Sequence, residues 1–460
     1  MLKRFRPDDP AFLGQLEARL AAALRHADKR EAGLLSITLA APEIPLEYLP
    51  AALDDLFYWS RPAAGQSLLG LGAAAEIRAG GVERWCRLKD AFAAWQARWQ
   101  HEDVDATGLR PLALGGFSFS PQAGDMDFPA AQLRVPALLL RREGEISALT
   151  FTFSAGDMAL EPAMQRLRQL TAALAQRPSE IQDQNLQRMA GDAEDATWLA
   201  RVAKAVADIQ SGRLDKVVLT RRVRLSAAQP FDPARIMAGL AQRHQRCTLF
   251  GVATPAGGMF MGASPELLAG LKNGETYCDA LAGTVWDRGG AGARCLLGDM
   301  KNGREHRLVV QSIAEALRPV CSRLEVPAAP VALHLGHLHH LWSGLRGKVK
   351  PGIGLLDLLE RLHPTPAVGG YPRRAALDWL AQHGESRSGW YTGAVGWMDT
   401  AGEGEFAVAL RCAHVRGTQA ELYAGAGIVA GSEPRHELAE TEAKLLPMLQ
   451  ALGHCGEDHD

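Results

Sequence analysis

Apolar positions along this chain follow two different periods. Over residues 1–195, LGQLEARLAAALRHADKR (13–30) keeps leucine and alanine at helical spacing, whereas GLLSITLA, SLLGLGAAAEI, PALLLRR and SALTFTFS are short apolar runs broken by glycine and proline. That pattern predicts sheet with helical cover. The stretch QRPSEIQDQNLQRMAGDAEDATW (176–198) is polar and irregular, so the main seam is expected there, dividing residues 1–195 from 196–460 as two halves of one integrated body. Beyond it, TWLARVAKAVADIQSG reads as a helix, DKVVLTRRVRLS as a strand and FDPARIMAGLAQRH as a helix opened by an Asp-Pro cap signal. Further β runs at GMFMGASPELLAG, WYTGAVGWM, EFAVALRCAHV and AELYAGAGIVA are joined by glycine-containing turns, which predicts antiparallel sheet with helices packed outside.

Composition narrows the function classes. With 460 residues and a formal net charge of -2, the chain has a large core and no electrostatic footprint for nucleic acid, so a small-molecule partner is expected. The N-terminus MLKRFRPDDP is charged, and no segment offers an uninterrupted membrane span, which predicts a soluble, cytoplasmic protein. A monomer is the default expectation. Seven cysteines (Cys86, Cys247, Cys278, Cys295, Cys321, Cys412 and Cys455) are scattered without C-x-x-C spacing and read as reduced thiols.

Six stretches could carry chemistry. In HELAETEAK (436–444), Glu437, Glu440 and Lys444 share one helical face and Glu442 points to another; a solvated face with a Glu…Lys pair fits the same spacing. In DKVVLTRRV, Lys216, Val218 and Thr220 point to one side of a strand, so Lys216 is either a partly desolvated base or an edge lysine that deters aggregation. MGASPELLAG delivers Glu266 on a small-residue turn, where burial would make it a general acid and exposure an ordinary surface carboxylate. The helix KNGREHRLVVQSIAEALRPV places Leu308, Val309, Ser312, Ile313, Ala316 and Leu317 on its buried side, with Glu305 at the edge. Glu305 and Glu440 together would offer oxygen ligands that suit Mg²⁺ far better than zinc. Arg411, placed at the end of EFAVALR, and the glycines of AGAGIVAG would supply donors for a carboxylate. Neither GxxxxGK[ST] nor GxGxxG is present in that glycine run.

Taken in order, KVVLTR, FMGASPELL, ALAGT, KNGREH, HLHHLWSGLRGKV, LHPTPAVGGYPRRAAL, SGWYTGAVGW, GEFAVALR, YAGAGIVAGSEP and HELAETEAK resemble the chorismate-utilising enzyme family, within it the isochorismate-forming members. Weaker likeness through FYWSRP, LLGLGAAAEI and GGFSFSP covers nearly the whole chain. The resemblance implies an α+β fold in which two antiparallel β-sheets pack face to face with helices outside. It implies that Glu305 and Glu440 bind Mg²⁺, with Glu437 reaching the metal through water. Arg411, Lys444 and the backbone around Gly425 match groups that hold the carboxylates of chorismate, while Gly283, Thr284, His340 and Tyr391 match pocket-lining positions. Lys216 and Glu266 match a base and an acid: the base activates water for attack on C2, and the acid protonates the departing C4 hydroxyl, reversibly.

Relatives that use ammonia are set apart by two features. Aminodeoxychorismate synthases typically carry PIKGT where this chain has LAGT with Ala282, and anthranilate synthases usually lack a lysine at the position of Lys216. Salicylate synthases resemble the chain more but differ after HP, where it reads TPAVGGYP. A non-catalytic chorismate-binding protein would be expected to lose Lys216 or Glu266, and a phosphoryl-transfer enzyme to carry a phosphate loop. One departure from the family is Asn302-Gly303, in place of bulkier charged residues, which leaves the start of that helix open. The sequence does not choose between menaquinone, siderophore and salicylate as the destination of the product.

Overall fold

The computed structural model describes residues 10–26, 33–42, 49, 55–122, 128–176, 184–189, 191–287, 292–336, 338–385 and 387–453. Among them the strands form two sheets, of thirteen and ten strands. Pairing is antiparallel apart from Leu34–Ala40 with Trp99–Asp103. In the larger sheet Lys216–Ser226, Gln419–Val429, Cys412–Arg416, Gly258–Ser264, Thr248–Thr254 and Leu56–Arg61 are successive neighbours, so strands from both sides of residue 195 share hydrogen bonds. The smaller sheet runs through Leu338–Val349, Glu275–Trp286, Leu267–Lys272, Gly404–Val408, Ala394–Asp399 and Leu112–Phe117.

Side-chain alternation sorts each strand between two cores. Leu56 and Tyr58 pack beneath helices Pro10–His26, Leu160–Ala175, Pro233–Arg243 and Pro434–Ala451, whereas Phe57 and Trp59 point into a layer between the sheets. Leu249 and Phe250 divide in the same way, as do Met261 and Phe260. From the smaller sheet Leu114, Val395 and Trp397 enter that shared layer, while Ala113, Ala394 and Met398 pack beneath helices Arg84–Ala97, Met300–Leu317 and Leu355–Leu362. Burial of both faces explains why strands such as Leu56–Arg61 read as near-continuous apolar runs. The result is the α+β arrangement of two facing sheets with helices outside.

Local details differ from the sequence reading. The irregular stretch expected over 176–198 is helical from Gly191, in Gly191–Gln210, and Gln187–Met189 pairs with Lys216–Ser226. Residues 177–183 and 190 lie outside the described residues, as do 27–30 of the first helix. SLLGLGAAAEI is two strands, Gln66–Leu71 and Ala75–Ala79, which enter different sheets after a turn at Gly72, whose φ of 64° suits glycine. Among the described residues no helix is long and apolar enough to cross a membrane.

Candidate active site

Strand Lys216–Ser226 sends Val217 and Leu219 into an apolar cluster with Trp198, Val202, Trp379 and Ile428. Its alternate residues face the other way: Val218 lines a cavity, and Lys216, only 1% exposed, donates from Nζ to Glu305 Oε1 at 2.8 Å. The neighbouring strand supplies room for this pair. Gly427 stands opposite Val218, and a Cβ there would fall 2.4 Å from Glu305 Oε1 and 2.9 Å from Lys216 Cε. At Gly425, opposite Thr220, a Cβ would fall 2.9 Å from the Leu219 carbonyl oxygen. The glycines of AGAG are therefore required by close approach.

Glu266 sits in the turn between Gly258–Ser264 and Leu267–Lys272 and is 2% exposed. Burial, reinforced by the nearby Asp279 carboxyl and only partly offset by Lys216 and Lys444, pushes its carboxyl up to about 8. Its Oε1 has no hydrogen-bond partner among the described residues. Asp279 is itself fixed by Leu267 N at 3.0 Å and Trp342 Nε1 at 2.8 Å.

Opposite this acid lies a second cluster. A bulge between Ala282 and Thr284 leaves Gly283 at φ 79° and turns Thr284 toward His340, with Oγ1 and Nδ1 3.0 Å apart. Arg411 Nη2 donates to His340 Nε2 at 3.0 Å, so His340 is neutral and carries its proton on Nδ1. Burial and the Arg411 charge hold this imidazole well below its usual range. Arg411 does not end a strand as the sequence suggests: Gly404–Val408 stops earlier, and Arg411 takes a left-handed φ of 49° in the break before Cys412–Arg416. That turn directs its guanidinium inward.

Three carboxylates are each matched by a lysine: Glu305 by Lys216, Glu440 by Lys444 at 2.5 Å, and Glu437 by Lys301 at 2.7 Å. Lys444 also donates to the Gly425 carbonyl at 2.9 Å. Burial raises the Glu305 carboxyl, but Lys216, Lys444 and Lys301 overcome it and hold it below its usual value. Glu437 is raised, by burial and by the adjacent Glu440. Glu305 and Glu440 face one cavity with oxygen donors only, and the mutual repulsion of Glu437 and Glu440 favours added positive charge. The donor set thus fits a hard divalent cation.

The cavity holds about 680 Å³ of empty space, its solvent-open mouth included. Glu266, Gly283, Thr284, Glu305, His340, Tyr391, Arg411, Gly425, Glu440 and Lys444 all line it. Lys216 lies directly behind Glu305, and Glu437 faces an adjoining depression that shares Thr284 and Glu440 with the cavity. Glu442, on the other helical face, accepts from the buried Arg221 at 2.6 Å. Helix Met300–Leu317 begins cleanly because Asp299 accepts from Asn302 N at 2.9 Å, and its buried stripe runs through Asn302, His306, Val309, Ile313 and Leu317. Leu308, Ser312 and Ala316, expected in that stripe, are half-buried on its flank.

Several site-shaping residues had no signal in the sequence. Asn302 accepts the Thr284 amide at 3.1 Å and so fixes the bulge, although its place in the sequence reading was only as a departure. Asp279 and Lys301 act on Glu266 and Glu437 from distant segments. Tyr423 stacks on Tyr391 with ring centroids 5.0 Å apart. Val218, by contrast, follows from the same strand period that points Lys216 inward.

Comparison with known proteins matches residues 18–453 to the family model described as chorismate binding enzyme. The salicylate biosynthesis isochorismate synthase of Pseudomonas aeruginosa is 36% identical over 442 residues, covering 90% of this chain and 89% of that protein. Isochorismate synthase MenF of Bacillus subtilis is 32% identical over 415 residues, covering 86% and 88%. Among solved structures, MenF, the menaquinone-specific isochorismate synthase from Escherichia coli, superposes with a TM-score of 0.77 at 26% identity, covering 96% of this chain and 100% of the other. Anthranilate synthase component I from Streptococcus pneumoniae, with a TM-score of 0.66 at 19% identity over 97% and 99%, shares the fold.

Proposed function

The chain belongs to the chorismate-binding enzyme family, and from that premise we propose that its cavity converts chorismate reversibly to isochorismate, water adding at C2 as the C4 hydroxyl leaves. The observation that carries this reading is Glu266. A carboxyl pushed up to about 8 is protonated at neutral pH, which is what a leaving hydroxyl needs from a general acid. Arg411 and Lys444 supply positive charge for substrate carboxylates in the same cavity. Lys216 is the base in this reading. Its Nζ donates to Glu305 in the structure, and only as the neutral amine, with its lone pair turned to the water, can it take the proton.

Glu305 and Glu440, with Glu437 beside them, would hold Mg²⁺, which when bound supplies charge that anchors a substrate carboxylate. The names of the relatives from Pseudomonas aeruginosa and Bacillus subtilis, both isochorismate synthases, support the choice of product. A cytoplasmic, monomeric enzyme with no nucleic-acid or membrane partner completes the proposal. Incubation with chorismate and Mg²⁺, with excess ammonium present, followed by chromatographic separation, tests it. Isochorismate is expected; anthranilate as the main product, or salicylate with an equivalent of pyruvate, would refute it.

A further inference from the structure

Hairpin Val331–Leu335 and Leu338–Val349 places His334 directly opposite His339, and Val285 of strand Glu275–Trp286 flanks His339 on the other side. Asp287 follows immediately after that strand, beside both rings. Its Oδ2 lies 3.2 Å from His334 Nε2 and its Oδ1 lies 3.3 Å from His339 Nε2. One donor atom from each of the three residues lies within 4.8 Å of the others.

His339 carries a second, independent sign. Its side chain is 10% exposed, and among the described residues neither ring nitrogen makes a hydrogen bond, Nδ1 having no polar contact and Nε2 only the Asp287 carboxylate at 3.3 Å. A buried imidazole normally satisfies at least one nitrogen. Helix Gly292–Gly298 closes over the ring, since a Cβ at Gly292 would fall 3.0 Å from His339 Cδ2 and 2.7 Å from the Trp286 carbonyl oxygen.

We propose that Asp287, His334 and His339 form a binding site for a divalent transition-metal ion of the zinc class, separate from the glutamate cavity. Two imidazoles and a carboxylate suit such an ion, whereas Mg²⁺ takes oxygen ligands. Ligands about 2.0–2.1 Å from a tetrahedral ion are roughly 3.3 Å apart. Asp287 sets one oxygen 3.2 Å from His334 and the other 3.3 Å from His339, and with all three donor atoms within 4.8 Å a small side-chain adjustment brings them to that spacing. Three protein ligands leave a fourth position for water. The alternation of the strand keeps the two sites apart: His340 points into the cavity and accepts from Arg411, while its neighbour His339 points to the opposite face.

Titration of the full chain with Co²⁺ in excess Mg²⁺, followed by the visible absorption of tetrahedral cobalt, tests the site. One Co²⁺ per chain is expected, displaced by Zn²⁺, with affinity reduced by about 10²-fold in both His334→Ala and Asp287→Asn, since loss of a ligand costs at least what loss of its supporting groups does. Circular dichroism melts of both variants confirm that they are folded, and His334 is exposed, so its loss leaves the core untouched. Unchanged Co²⁺ affinity in the two variants overturns the proposal. Loss of Co²⁺ binding in Glu440→Gln with retention in His334→Ala also overturns it, by putting the ion on the cavity carboxylates.

Discussion

The space between the two sheets has two contrasting ends. One end is built from aromatic rings: Trp59 meets Trp397 edge-on at 6.1 Å, Phe250 meets Phe260 at 5.5 Å, and Phe128 packs on Trp390 at 5.6 Å. The other is hollow and lined by Glu266, Glu305, Glu440, Arg411 and Lys444. Tyr391 and Tyr423 belong to both, packing in the aromatic layer and lining the cavity. The contrast shows how a protein can keep a charged pocket open between sheets. The aromatic end fixes the spacing, and each carboxylate that lines the cavity except Glu266 is held by a lysine. Glu266, raised to about 8, is thereby singled out as the carboxyl that keeps its proton at neutral pH.

That division predicts activity losses without unfolding at one end and unfolding without chemical loss at the other. The largest effect is expected from Lys216→Ala and Glu266→Gln, each lowering turnover by about 10²–10⁴-fold while calorimetry still detects chorismate binding. Loss of binding in Lys216→Ala would make the lysine an anchor. The wild-type rate should fall as pH rises through about 8, where Glu266 ionises, and Glu266→Gln should lack that limb. Stability follows the same group. Its folded carboxyl lies above 4.5, so between roughly pH 4.5 and 8 the folded chain holds a proton that the unfolded chain has lost, and stability from this site declines as pH rises. Melting curves of Glu266→Gln should show a shallower decline over that window.

At the aromatic end, Trp59→Ala should destabilise the protein by about 3–5 kcal/mol, because the ring is fully buried, yet the fraction that remains folded should keep its kcat/KM. Denaturant titration and kinetics on the same sample separate the two, and a proportionate loss of kcat/KM would mean that the ends are not independent. Gly427→Ala comes next, at about 10²-fold in kcat with a small change in melting, since its Cβ would displace Glu305 and Lys216. The smallest effect belongs to Glu442→Gln, within about 1 kcal/mol and without loss of activity, because Arg221 keeps Asp195 and Thr441 as partners. Glu440→Gln, on the cavity face of the same helix, should by contrast cut turnover severely, and equal damage from both would dissolve the distinction between faces.

What the sequence discloses follows the range of the forces involved. Periodicity is local, so Lys216 and Val218 on one side of a strand, and Glu440 and Lys444 on one side of a helix, can be read directly. Motif order placed the remaining cavity residues through a family resemblance. Contacts between distant segments leave no local mark. The pairing of Thr220 with Gly425, the Asn302 bond that fixes the Gly283 bulge, and the approach of Asp279 to Glu266 all depend on which strands become neighbours. The left-handed turn at Arg411 is illegible for the same reason, since arginine has no intrinsic preference for it. Asp287, His334 and His339 come from three segments and match no short metal motif.

Strand Lys216–Ser226 owes its long inner neighbour to Gln419–Val429, a segment made nearly two hundred residues later. At a ribosomal pace of about 5–20 residues per second, the earlier strand waits roughly 10–40 s with that edge unpaired. During this interval its row of free amides and carbonyls is a template for wrong partners, including the same strand on a neighbouring nascent chain. Arg221, Arg222 and Arg224 put repeated positive charge along the waiting edge, and like charges discourage two such strands from joining. Safe synthesis is therefore written into the same strand that carries Lys216.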